Sequence, residues 1–64
     1  MAKVIFTEEQ KLEGVKRELK YRRAVYLRRV LAENMTQALA DYQIALFEAI
    51  EADYEERAKK ERLI

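Results

Sequence analysis

The sequence predicts an all-α fold, an antiparallel two-helix hairpin with helices at about 8–33 and 37–62. Three observations predict it. Apolar residues recur at three-, four- and seven-residue steps along both halves of the chain. There is no proline and only one glycine to interrupt them. The one punctuation is central, at Glu33-Asn34-Met35-Thr36, and divides the chain into arms of nearly equal length.

The chain of 64 residues is read as a single domain, 1–64, near the lower size limit at which one core holds a protein folded without staples. Cysteine and histidine are both absent, which excludes disulfides and the thiolate and imidazole sets that bind zinc. Oligomerisation is the remaining support. No apolar run approaches bilayer length, and Met1 to Phe6 is too short for the apolar region of a signal peptide, so a cytoplasmic protein without a membrane partner is expected.

Lys3-Val4-Ile5-Phe6 favours extended structure, and packing across a neighbouring helix is its expected role. It stops at a helix start: Thr7 is placed to cap and Gln10 to reach back as its capping-box partner. Glu8 and Glu9 then occupy the positive end of the helix dipole. Beyond them Leu12, Val15, Leu19, Tyr26 and Val30 fall on one narrow face at about 100° per residue. Gly14 interrupts the helix interior at a cost of roughly 1 kcal/mol relative to alanine. Arg22 and Arg23 flank the stripe, their stems covering the seam and their heads expected to reach water.

Asn34 is the expected left-handed residue that closes the first helix, and Thr36 the N-cap of the second. Met35 and Ala40 are spaced for a hydrophobic staple. In the second helix Leu39, Tyr42, Leu46, Ala49, Ile50 and Tyr54 form the expected main stripe, with Ala40, Ile44, Phe47 and Ala58 widening it. An apolar arc of that width exceeds what one partner helix covers. The charged tail from Glu55 to Arg62 is expected to fray.

Equal arms on a short link fold back antiparallel, so residues whose numbers sum to about 70 lie level. The arms are electrically opposite. Residues 11–29 hold eight Lys or Arg against Glu13 and Glu18, whereas residues 41–56 hold six carboxylates and no cation. The level rule sets Arg29 beside Asp41, Arg22 beside Glu48 and Arg17 beside Asp53. Helical angles taken from the main stripe point Asp41, Glu48, Glu51 and Glu55 away from it, which favours charge contacts with another subunit over pairs inside one hairpin.

Two helices share one seam and leave much of each cylinder wet. A homodimer forming a coiled-coil-like four-helix bundle is therefore expected, with an interface drawn from Tyr26, Val30, Leu39, Ile44, Leu46, Phe47, Ile50 and Tyr54. Among Tyr21, Tyr26, Tyr42 and Tyr54, those at stripe positions read as core or interface residues with hydroxyls at the wet edge. Asp53 reads as an exposed boundary carboxylate.

A second reading uses the basic arm. Lys16, Arg17, Lys20, Arg22, Arg23, Arg28 and Arg29 are candidate nucleic-acid contacts, with Tyr21 available to stack on a base. The cations spread around most of the helix, whereas a groove-reading helix needs them on one exposed face. No enzyme is expected. Without His or Cys the common nucleophile and base pairings are missing, as is a glycine-rich phosphate loop. Glu48 and Glu51, or Glu51 and Glu55, share a helix face, but Glu-x-x-His is missing and an acidic solvent face is the simpler reading, so no metal, cofactor or catalytic residue is assigned.

The run Glu18-Leu19-Lys20-Tyr21-Arg22-Arg23-Ala24-Val25-Tyr26, with Met35-Thr36-Gln37, Ala40-Asp41 to Ile44, Glu48-Ala49-Ile50 and Asp53-Tyr54, resembles a group of small uncharacterised bacteriophage and prophage open reading frames. The likeness spans about residues 7–55. Those frames often have proline after the Val-Tyr pair and Gly-Arg before Met-Thr-Gln, where this chain has Leu27 and Glu33-Asn34. The resemblance implies a straighter first helix here and a phage accessory, regulatory or assembly role. It implies no activity and no functional residue. The expected function is thus a small non-enzymatic, self-associating interaction module, with a protein partner in phage or host, and a nucleic-acid-associated accessory factor as the alternative.

Overall fold

The computed structural model describes residues 3–63. Two helices, α1 (Glu8–Leu31) and α2 (Gln37–Arg62), pack against each other as an antiparallel hairpin. Both starts follow from local chemistry. Thr7 Oγ1 accepts from the Gln10 N–H at 3.0 Å while Gln10 Oε1 accepts from the Thr7 N–H at 2.9 Å, a complete capping box. Thr36 Oγ1 accepts from the Leu39 N–H at 3.1 Å and starts α2. Half-buried Met35 and buried Ala40 occupy the staple positions on either side of it.

The corner closes one residue earlier than expected. Glu33, with φ of 60°, is the left-handed residue, and Asn34 is not. The Glu33 N–H bonds to the Val30 carbonyl at 3.0 Å and the Asn34 N–H to the Arg29 carbonyl at 2.9 Å. This is the Schellman pattern, which places the left-handed residue directly after the C-cap, here Ala32. α1 therefore ends at Leu31, two residues short of the expected Glu33.

The core is small. Leu12, Leu19, Tyr26, Ala40 and Ala58 are the buried apolar residues, and of these only Leu12 and Leu19 are large and fully enclosed. α1 presents the expected stripe, with Val15 and Val30 half-buried beside it. α2 does not present the expected one. Leu39, Tyr42, Leu46 and Ala49 are exposed, while Ala40, Ile44, Phe47, Tyr54 and Ala58, spaced three, four and seven residues apart, run along the seam. The small side chains decide this, because Ala40 and Ala58 let the helices approach where bulkier residues hold them apart. Ala58 lies level with Leu12 and both are essentially inaccessible to solvent.

The level rule holds. Arg22 with Phe47, Arg23 with Glu48, Lys16 with Glu55, Glu8 with Glu61 and Glu9 with Arg62 all meet across the seam, and each pair of numbers sums to within one of 70. At the open end the Glu61 carboxylate accepts from the Glu8 N–H at 2.9 Å and the Glu9 N–H at 3.3 Å, satisfying free donors of the first turn of α1. The tail is accordingly helical through Arg62 and tied to α1. Residues 3–6 have no regular structure, and Val4, Ile5 and Phe6 are exposed where packing across a helix was expected.

Candidate interaction surfaces

The hairpin has two broad faces of different character. At about 100° per residue, Lys16, Arg23 and Glu9 lie to the same side of the seam as Glu55, Glu48 and Arg62. The three cross-helix ion pairs, Lys16–Glu55 at 3.3 Å, Arg23–Glu48 at 2.9 Å and Glu9–Arg62 at 2.9 Å, all span this paired face. Glu48 and Glu55 thus pair inside one hairpin, contrary to expectation. With the seam running through Ala40, Ile44 and Phe47, these carboxylates flank it. A small groove of about 130 Å³ on this face, lined by residues including Tyr26, Leu27, Val30, Ala40 and Ile44, is below the usual size of a small-molecule pocket.

The opposite, open face carries Leu39, Leu46 and half-buried Ile50, with half-buried Val25 and exposed Tyr21 from α1, while Tyr42 and Ala49, about 160–180° from Ala40 and Ala58, lie toward the back of α2. Leu39 and Leu46 keep 47% and 43% of their surface and Tyr21 keeps 64%, so these side chains are left uncovered within the chain. Among the described residues no ion pair joins the two helices across it.

Arg22 stands at the boundary between the seam and the open face. Its Nη1 donates to the Tyr26 hydroxyl at 2.7 Å, its Nε donates to Glu18 at 2.8 Å, and its guanidinium lies 4.3 Å from the Phe47 ring centroid. The head does not reach free into water as expected. It replaces an apolar seam residue by stacking. The bond to Tyr26, reinforced by the charge of Glu18 and opposed by desolvation, raises its pKa above the ordinary arginine value. The pKa of Arg62 is raised in the same direction, first by its bond to Glu9.

The eight expected interface residues therefore divide. Tyr26 is buried in the hairpin's own seam, and Val30, Ile44, Phe47 and Tyr54 line that seam half-exposed. Leu39, Leu46 and Ile50 belong to the open face. The seven candidate nucleic-acid contacts divide as well. Lys16, Arg22 and Arg23 hold ion pairs with Glu55, Glu18 and Glu48, whereas Arg17, Lys20, Arg28 and Arg29 make no ion pair among the described residues. Arg17 and Arg28 lie on the back of α1, away from α2. Arg29 does not pair with Asp41, which accepts from Gln37, and Asp53 is exposed, as read from the sequence.

Among the described residues no group of three or more Asp or Glu is placed to hold a metal ion, and no helix is long and apolar enough to cross a membrane. No protein-family model matches the sequence, and comparison with curated proteins and with solved structures gives no significant match.

Proposed function

We propose that this chain is a small non-enzymatic interaction module that acts as a homodimer, two hairpins closing into a four-helix bundle. The observation that carries the reading is the imbalance between core and surface. Two large side chains are fully enclosed, while Leu39 and Leu46 stand uncovered on the open face. A core of that size contributes little to a chain of this length, and a second hairpin supplies the missing apolar contact. The resemblance to small phage open reading frames suggests an accessory or regulatory setting, in which the dimer presents its outer faces to a phage or host protein. The absence of His and Cys supports a role without catalysis.

Sedimentation equilibrium at tens of micromolar tests the reading, with a dimer of the 7.6 kDa chain as the expected species. A well-folded monomer across the range removes its basis. A second reading is favoured by Arg17, Lys20, Arg28 and Arg29, which make no ion pair among the described residues, beside exposed Tyr21. Here the outer side of α1 tracks a phosphate backbone. Anisotropy titration with short duplex and single-stranded DNA at low salt separates the two, since phosphate binding weakens steeply with salt.

A further inference from the structure

We infer that two copies pack open face to open face with their corners at the same end, so that α1 of each lies over α2 of the other. This rests on the self-association proposed above and specifies its geometry. Twofold symmetry allows two ways to stack the faces. With the axis parallel to the helices, α1 covers the second copy's α2 and the corners coincide. With the axis across the helices, like covers like and the corners point apart.

Charge distinguishes them. On the open face α1 contributes Lys11, Arg22 and Arg29 against Glu18, and α2 contributes Asp53 and Glu61 against Arg57. Stacking like on like runs α1 antiparallel to its own copy, basic arm against basic arm, whereas α1 over α2 brings the basic arm, with eight cations in residues 11–29, over the acidic arm, with none in residues 41–56.

Contact area points the same way. The apolar part of the face, Tyr21 and Val25 with Leu39, Leu46 and Ile50, lies in the half nearer the corner. With corners together these halves superpose while the helices overlap along their full length. Helices of about 36 and 39 Å, each about 10 Å wide, offer a face of about 750 Å². That matches the roughly 800 Å² per partner of a standard stable interface. With corners apart, superposing the apolar halves slides the hairpins until only about 24 Å of helix overlaps.

The chain has no native cysteine, so a single nitroxide on Asn34→Cys reports the arrangement directly. Spin-label distance measurement on the dimer should give a separation within about 20 Å, because neighbouring helix axes in a bundle lie 8–10 Å apart. With the corners apart the labels lie as far apart as the helices overlap, about 24 Å when the apolar halves superpose and about 40 Å at full overlap, and either value overturns the arrangement while leaving self-association intact. Two substitutions test the face. Leu46→Glu should weaken dimerisation about tenfold or more, and Leu27→Glu on the paired face should leave it within about twofold. Equal weakening by both overturns the choice of face. Circular dichroism shows whether Leu46→Glu still folds, and the Asn34→Cys distance stands independently if it does not. A monomer at every concentration defeats this inference together with the self-association beneath it.

Discussion

Glu33 holds a backbone conformation that costs most side chains about 1–2 kcal/mol, and its own side chain is exposed. Glu33→Gly is therefore expected to stabilise the fold by about 0.5–1 kcal/mol, after allowance for the added freedom of the unfolded chain. Urea denaturation reads this directly, and a loss of stability would show that the Glu33 side chain contributes more than its strain. Gly14 gives the complementary case. A Cβ there meets nothing within 4 Å, so Gly14→Ala should gain about 0.5–1 kcal/mol from helix propensity. At this scale the two caps were legible, because Thr7, Gln10 and Thr36 act within three residues of themselves. The corner residue was not. Asn is the commoner left-handed type, but the hydrogen-bond count from the last turn of α1 selects the position, and composition does not reveal that count.

The same contrast holds for the helices. Their existence, order and antiparallel register were legible from periodicity and from one central break, and the level rule derived from that break locates every observed contact across the seam. The inner face of α2 was not legible, because α2 carries two apolar stripes and the larger residues form the outer one. Ala58 lines the seam at the level of Leu12 and Ala40 at the level of Val30, where close approach favours small side chains over bulky ones. Ala58→Leu should accordingly cost about 1–3 kcal/mol by overpacking, whereas Ala45→Leu on exposed surface should stay within about 0.5 kcal/mol. Equal effects from the two, measured by thermal melting at matched protein concentration, would place the helices farther apart than described. Leu19→Ala should remove about 2–5 kcal/mol, a large share of what so short a chain possesses.

Over the whole molecule, the division of charge between the arms has two outlets. Part is spent on the ion pairs of the paired face, where each exposed pair contributes about 0–1 kcal/mol. Raising NaCl to about 1 M, where screening acts over about 3 Å, should thus lower hairpin stability by no more than about 1–2 kcal/mol. A larger loss in a salt series would show that charge outweighs apolar packing. The remainder is directed outward on Arg17, Lys20 and Arg28, and toward the open face on Arg29. Their freedom was not legible in the sequence, since the wrong seam on α2 also misdirected Glu48 and Glu55, and with them the partners of Arg23 and Lys16.

The Glu61 clasp gives this architecture a dynamic consequence. One end of the hairpin is joined by the covalent chain and the other by a carboxylate holding the Glu8 and Glu9 amides, so the hairpin is closed at both ends. Terminal turns ordinarily open one at a time, but here the first turn of α1 and the last turn of α2 must open together. Amide hydrogen exchange should therefore report one shared opening free energy for residues 8–11 and 59–62. Glu61→Ala should split that unit into two independently fraying ends, while the Leu19 region keeps its protection.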